Sequence, residues 1–189
     1  MKDWTGNTNS VFKTLASSHH TDDERQPYDY YATDPRAAQL LLRVEQFHPD
    51  IWEPACGELH LANVFKDAGY NVRYSDIVNR ADNEVLDFLD ITNTHWQGDI
   101  ITNPPYKYAR EFVEKALSII PDGYKVAMFL KLQFLEGKSR KHLFTTHPPK
   151  MYIRFFLSPQ LRHKWQLRHL AHNRRLSSSL RMVCVGERI

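Results

Sequence analysis

Two things are scarce in this sequence, cysteine and long apolar runs, and each shortage excludes a class of protein. Cys56 and Cys184 are the only cysteines among 189 residues, so the sequence predicts neither a disulfide framework nor a zinc site. No apolar run is long enough to span a membrane, and the first residues lack the charged and apolar regions of a signal peptide. The 42% hydrophobic content suffices for one core, and we expect a single-domain, monomeric, cytoplasmic protein.

The most informative stretch is Asn103-Pro104-Pro105-Tyr106, because it directly follows the apolar run Asp99–Thr102. That run predicts a strand, and in an open α/β sheet substrates bind where the strands end. The Asn103 carboxamide and the Pro104 carbonyl are two acceptors that can draw the lone pair of an exocyclic amine out of conjugation, and Tyr106 can stack on a nucleobase. The alternative is an ordinary strand-to-loop turn, because Asn-Pro and Pro-Pro are common turn formers.

Upstream of this tetrapeptide, the pattern predicts a strand, a loop, a helix and a second strand that ends in an acid. The first strand and its small-residue loop occupy residues 51–58, the helix runs from His60 to Gly69, and the second strand, residues 70–75, precedes Asp76. This order is typical of the nucleotide-binding half of a Rossmann-like sheet, with Asp76 placed to accept hydrogen bonds from ribose hydroxyls. The sequence therefore predicts an α/β fold.

Further apolar patterns extend this alternation of helices and strands. A helix is predicted after Pro35, through residues 37–44, and another through residues 109–117. Strands are predicted at residues 124–130 and 151–156. The helix at 109–117 is expected to cover the sheet after the tetrapeptide.

In this order the motifs resemble those of the S-adenosylmethionine-dependent DNA adenine-N6 methyltransferases, especially the compact forms encoded by bacteriophages and prophages. The resemblance runs from residue 11 to about residue 156. It implies the Rossmann-like class I methyltransferase fold, a three-layer αβα sandwich, with S-adenosyl-L-methionine as cofactor and DNA as partner. The implied reaction is in-line methyl transfer to the N6 amine of an adenine flipped into the pocket, with no covalent enzyme intermediate.

The resemblance assigns a role to each motif residue. Those implied to be catalytic are Asn103, Pro104, Pro105 and Tyr106. Those implied to bind the cofactor are Tyr31, Thr33 and Pro35 of an amino-terminal segment, Glu53, Pro54, Ala55, Cys56 and Gly57 of the methionine-binding loop, Asp76 as the ribose acid, and Asp87 and Phe88 at the cofactor adenine. Cys56 is not expected to be a nucleophile, since the amine attacks the methyl directly. For Asp87 and Phe88 the alternative is a loop acid beside a core phenylalanine.

One residue of the methionine-binding loop departs from the family pattern. Leu59 stands where a second glycine is expected. Glycine at such a position lets the backbone approach the ligand and adopt a positive φ. The leucine therefore either crowds the methionine tail or re-routes the loop.

Other substrates share the chemistry of this tetrapeptide. It also occurs in enzymes that methylate a glutamine amide in protein or guanine in ribosomal RNA, and the N4 amine of cytosine poses the same problem of conjugation. The segment at residues 30–35, ahead of the cofactor loop, favours DNA. The non-enzymatic alternative is an inactive phage-derived remnant that retains the fold without turnover.

Charge is distributed unevenly along the chain. Residues 1–137 hold 21 of the 22 acids and 13 of the 25 bases, whereas residues 138–189 hold one acid and 12 bases. We divide the chain into a polar arm at 1–29, a methyltransferase domain at 30–156 and an anomalous basic tail at 157–189. One interpretation makes the tail a DNA-binding extension, because clustered lysines and arginines neutralise phosphates.

The other interpretation is that the tail is read out of frame. The resemblance implies segments similar to F-S-x-R-x-N-C-A-x-N-G and W-F-V-W-E-K-G after residue 156, and neither occurs. Residues 158–167 can be back-translated so that a displacement by one nucleotide gives A-R-N-C-A-T-N-G-N, and for residues 180–189 the same displacement gives C-V-W-F-V-W-E-K-G. We hypothesise a frameshift near residues 155–158, which would leave the sheet without its last strands and expose an edge at 124–130 and 151–156.

Overall fold

The computed structural model describes residues 33–155, 166–169 and 181–187, and its fold is α/β, as predicted. The predicted polar arm, Tyr31 and most of the basic tail lie outside these residues. The helices of the described part are α1 (Pro35–Val44), α2 (His60–Asp67), α3 (Ala109–Ile119) and α4 (Lys141–Thr146). Its strands are β1 (Asp50–Glu53), β2 (Asn71–Asp76), β3 (Glu84–Val85), β4 (Asp99–Thr102), β5 (Lys125–Lys131), β6 (Met151–Phe155), β7 (Gln166–His169) and β8 (Arg181–Glu187). Each helix and strand expected from the sequence is present, with ends that differ by a few residues at most.

The strands form one sheet in the order β3-β2-β1-β4-β5-β8-β6-β7, which is parallel except where β6 meets β7. Strands β1 and β4 are neighbours at its centre, and the chain builds outward from them in opposite directions, to β2 on one side and to β5 on the other. Such a reversal opens a crevice at the carboxyl ends of the strands, where ligands bind in open α/β sheets. The arrangement is compatible with the Rossmann-like fold that was predicted.

Side chains of the central strands alternate between two apolar clusters, one on each face of the sheet. Trp52 of β1 and Ile100 of β4 pack with residues of α3, whereas their neighbours Ile51 and Ile101 pack with residues of α1 and α2. Because both faces are buried, the central strands are apolar over nearly their whole length. Helices therefore cover the sheet on both sides. In the described ranges, no helix is long and apolar enough to cross a membrane.

The basic tail contributes a strand to the interior of the sheet, which differs from the expectation for an out-of-frame tail. Strand β8 pairs in parallel with β5 on one side and with β6 on the other. The edge that was expected to be exposed at these two strands is therefore covered. The local sequence Met-Val-Cys-Val at residues 182–185 gives a physical reason, because its β-branched residues favour an extended strand.

Candidate active site

A cavity of about 650 Å³ opens at the carboxyl ends of β1, β2 and β4, where the strand order reverses. The predicted site residues that line it are Thr33, Glu53, Pro54, Ala55, Cys56, Gly57, Asp76, Asp87, Phe88, Asn103, Pro104 and Pro105. Pro35 begins α1 and does not line the cavity, and neither does Tyr106. Tyr31 lies outside the described residues. The fold thus brings most of the predicted residues, from five separate segments, to one place.

The backbone of the loop after β1 donates two hydrogen bonds to residues at the end of β2. The N–H of Cys56 donates to the carbonyl of Ser75 at 3.0 Å, and the N–H of Gly57 donates to the Asp76 carboxylate at 2.9 Å. Gly57 has a φ of 52°, in the left-handed region where glycine is not strained. The loop therefore places its backbone against the cavity with a conformation fixed by two strands.

Leu59 keeps the backbone conformation that a glycine at this position would adopt. Its φ is 64°, and it immediately precedes the first residue of α2. The side chain packs against the cluster under α1 and α2 and does not line the cavity, so it leaves space for a ligand. A left-handed conformation costs a non-glycine residue about 1–2 kcal/mol, which is the physical disadvantage of leucine here.

Asp76 organises the cavity through three donors. Besides the N–H of Gly57, its carboxylate accepts the N–H of Val78 at 3.0 Å, and it lies 3.4 Å from a guanidinium nitrogen of Arg80. An ionised carboxylate has about four acceptor positions, so a further donor, such as a ligand hydroxyl, can still be accommodated. Asp76 is thus a structural anchor of the loop, and its predicted contact with ribose stays a prediction.

Glu53, the last residue of β1, is a buried acid at the wall of the cavity. Its side chain is 3% exposed, and its Oε2 atom has no hydrogen-bond partner among the described residues. Burial raises the pKa of this carboxyl well above its ordinary value, and the charge of Asp76 adds to the effect, while the N–H of Ala62 and the charge of Lys66 oppose it. The neutral, protonated form is therefore favoured, and that form can donate a hydrogen bond as well as accept one.

Cys56 carries an inert thiol. Burial, with the charges of Glu53 and Asp76, raises its pKa to about 12. The thiolate is the reactive form of cysteine, and at neutral pH it is almost absent here. This agrees with the expectation that Cys56 is not a nucleophile.

Phe88 is a core residue rather than an exposed stacking platform. It is 1% exposed, with its ring centroid 5.3 Å from that of Trp52, edge to face, and 5.1 Å from that of Phe112. A ring enclosed in this way touches the cavity only over a small area. Of the two interpretations of Asp87 and Phe88, the geometry favours a loop acid beside a core phenylalanine. Asp87 accepts the N–H of Leu89 at 2.9 Å, which closes the loop in which it lies.

Asn103 follows β4 and is bonded to the segment that precedes α1. Its Nδ2 donates to the Oγ1 of Thr33 at 3.0 Å. Thr102, the residue before it, is fully buried, and its hydroxyl has no hydrogen-bond partner among the residues that the structure describes. Pro104 and Pro105 continue the chain along the cavity wall. Three residues of the tetrapeptide, Asn103, Pro104 and Pro105, thus line the same space.

Tyr108, which the sequence analysis did not predict, is an exposed aromatic residue at the cavity. Tyr106–Tyr108 forms a single turn of 3-10 helix, and Tyr108 lines the cavity with 43% of its surface exposed. The ring of Tyr106 lies instead against Lys131, whose Nζ is 4.7 Å from the ring centroid. A 3-10 helix has about three residues per turn, so residues two apart point in different directions. The prediction that Tyr106 stacks on a substrate base is therefore not supported by this geometry.

Other lining residues carried little sequence signal. Those not predicted include Leu61, Ile77, Arg80, Leu86, Asp90, Lys107, Tyr108 and Phe112. Of these residues, Ile77 had the clearest sequence signal, because it directly follows the acid that ends β2. In the structure its side chain is 53% exposed at the cavity. Arg80 is brought to Asp76 by a loop whose course the sequence pattern does not specify.

Comparison with known proteins assigns no family to the chain. No protein-family model matches it, and no curated protein matches it. Within the described ranges, no three histidine, cysteine, aspartate or glutamate side chains are grouped so as to hold a metal ion. Function is therefore inferred from the cavity itself.

Proposed function

We propose that this chain is an S-adenosylmethionine-dependent methyltransferase that transfers a methyl group to adenine N6 in DNA. The observation that carries the proposal is the common cavity of Gly57, Asp76 and Asn103 at the carboxyl ends of three adjacent strands. A loop and an acid suited to a nucleoside thus lie beside two acceptors suited to an amine. The motif order that resembles the DNA adenine methyltransferases supports the choice of adenine.

The residues present fit a cofactor of this size and chemistry. Cavities that bind small molecules commonly measure roughly 300–1,000 Å³, and this one measures about 650 Å³. Asp76 has room for one ribose hydroxyl, Ile77 offers an exposed apolar side chain, and the backbone at Gly57 permits close approach. When bound, S-adenosylmethionine supplies an electrophilic methyl on its sulfonium.

The chain's own residues would act by orientation rather than by covalent catalysis. The Asn103 carboxamide oxygen and the Pro104 carbonyl accept hydrogen bonds from the substrate amine, which draws its lone pair out of conjugation with the ring. Tyr108 stacks on the base, and fixing the amine beside the methyl contributes a large part of the rate.

Cofactor binding and methyl transfer test the proposal together. S-adenosylmethionine binding would be measured by calorimetry on the parent and on Asn103→Ala, followed by transfer to adenine DNA, cytosine DNA, ribosomal RNA and protein. We expect both proteins to bind the cofactor and transfer to adenine DNA to fall by about 10²–10³ in the variant, as for loss of one preorganised polar group elsewhere. Absence of cofactor binding by both proteins would favour an inactive remnant. Methyl transfer to one of the other substrates instead of adenine DNA would make that substrate the proposed one.

We also propose that the chain after residue 156 derives from a shifted reading frame. The support is that residues 158–167 and 180–189 can each be back-translated so that the same one-nucleotide displacement gives the two family segments, in family order. The nucleotide sequence of the gene decides the matter: a one-base displacement must restore both segments, and failure to restore either one refutes the frameshift.

A further inference from the structure

The bond between Thr33 and Asn103 joins two segments that are 70 residues apart in the sequence. The Nδ2 of Asn103 donates to the Oγ1 of Thr33 at 3.0 Å, and both residues line the cavity. In this bond the nitrogen branch of the Asn103 carboxamide donates and the hydroxyl accepts, and it fixes the position and plane of the carboxamide. It connects the amino-terminal segment directly to the proposed catalytic residue.

Thr33 is held in place by the start of α1. Asp34 caps the helix, since its carboxylate accepts the N–H of Arg36 at 2.9 Å and its carbonyl accepts the N–H of Ala37 at 2.9 Å. The helix itself is anchored through Leu41, which is fully buried in the cluster against the sheet. Thr33 thus lies directly before the N-cap residue of a helix that is anchored to the sheet.

An asparagine side chain needs a fixed hydrogen-bond partner to hold its carboxamide in one position. Its carboxamide carries a donor on one branch and an acceptor on the other, and a rotation of half a turn exchanges them. Only one of the two orientations presents the oxygen to a substrate amine. The bond to Thr33 holds the carboxamide in one plane, and in the observed orientation the nitrogen faces Thr33, which leaves the oxygen on the other side for an amine.

We propose that Thr33 is a positioning residue that holds the Asn103 carboxamide in place for methyl transfer. The inference rests on the proposed function and changes the role of Thr33 within it. The resemblance implied that Thr33 binds the cofactor, whereas the geometry connects it to the group that receives the substrate. Loss of the hydroxyl should therefore lower kcat and leave cofactor binding intact.

Thr33→Val and Thr33→Ser separate the two roles, because valine keeps the shape of threonine and serine keeps its hydroxyl. We expect Thr33→Val to lower kcat by about 2- to 10-fold, which corresponds to the loss of one net hydrogen bond, with the Kd and KM for S-adenosylmethionine changed less than twofold. Thr33→Ser should retain the parent's kcat. Thr145→Val, at an exposed position of α4, is the matched control, since its hydroxyl bonds only within the helix at 2.8 Å from the Lys141 carbonyl. A weaker Kd with unchanged kcat would overturn the proposal and return Thr33 to the cofactor.

A second measurement does not depend on activity. The side-chain amide of Asn103 gives a signal in proton–nitrogen correlation NMR that is identified by its absence in Asn103→Ala. We expect this signal to shift and to exchange faster with solvent in Thr33→Val, and to stay in place in Thr33→Ser and Thr145→Val. An unmoved signal in Thr33→Val would contradict the contact. If the signal moves in Thr33→Val but the parent transfers no methyl group, the contact is real and the proposed function is refuted. The positioning role for methyl transfer is then refuted as well.

Discussion

Two buried carboxyl groups at opposite ends of the sheet have opposite surroundings. Asp99 begins β4 at the amino end and is 1% exposed, and its two oxygens accept the N–H of His48 and the N–H of Lys125, each at 2.7 Å. Glu53 ends β1 at the carboxyl end and is 3% exposed, yet its Oε2 has no partner among the described residues. Burial raises both pKa values, but the two backbone donors moderate the shift at Asp99.

The difference in hydrogen bonding between Asp99 and Glu53 indicates different roles for the two ends of the sheet. Asp99 ties β4 to the start of β5 and to the segment before β1, so its hydrogen bonds hold the fold together. A buried polar atom without a partner is uncommon in native proteins and calls for an explanation, which in Glu53 is the cavity beside it. The amino end of the sheet is therefore the structural end, and the carboxyl end is the one at which we propose that a ligand binds.

Asp99→Asn should give the largest loss of stability. The asparagine keeps one acceptor oxygen and turns an NH2 group toward the second backbone N–H, so a buried donor loses its partner. We expect a loss of about 1–3 kcal/mol in the free energy of unfolding, or roughly 2–12 °C in Tm. Urea and thermal unfolding would measure it. An unchanged midpoint would mean that the two bonds do not hold the strands, and the contrast with Glu53 would fail.

Tyr108→Ala should affect substrate binding rather than stability. Stacking on one base is worth about 1–3 kcal/mol, so we expect KM for DNA to rise by roughly 5- to 150-fold, while the unfolding midpoint changes little because the ring is 43% exposed. Tyr106→Ala is the matched comparison, with a smaller change in KM, since Tyr106 does not line the cavity. A larger effect at Tyr106 would restore the original prediction from the tetrapeptide.

Glu53→Gln should have the smallest effect and the opposite sign to Asp99→Asn. The raised pKa means that folded Glu53 holds its proton where the unfolded chain releases it, so the parent loses stability as the pH rises through that window. The glutamine variant lacks this loss. We expect it to be more stable than the parent at neutral pH, with the difference closing as the pH falls below the ordinary pKa of a free glutamate, about 4. Unfolding curves across pH that stay parallel would show that Glu53 is ionised in the folded protein.

The helices and strands were predictable because their signals are local. The apolar run at Asp99–Thr102 and the proline that starts α1 specify their elements without reference to the rest of the chain. The meeting of Gly57, Asp76 and Asn103 was also predictable, since parallel strands end at the same edge of a sheet.

Side-chain direction was not predictable in the same way. Tyr108 lines the cavity and Tyr106 does not, because a turn of 3-10 helix follows the two prolines, and its onset has no distinct sequence signal. Phe88 is enclosed by Trp52 and Phe112, which are far from it in the sequence. Leu59 keeps a glycine-like φ because the packing of its side chain offsets the local strain. In each case, contacts distant in the sequence determine the result.

The position of β8 has a consequence for the order in which the protein assembles. Residues 181–187 enter between β5 and β6, so both of those strands are synthesised before the segment that separates them. Until then β5 and β6 each have an open edge, and pairing them directly with one another would close the gap prematurely. Contacts between such distant segments form slowly, and unpaired strand edges favour aggregation in the meantime. Among the described strands, the one latest in the chain thus completes the pairing of β5 and β6.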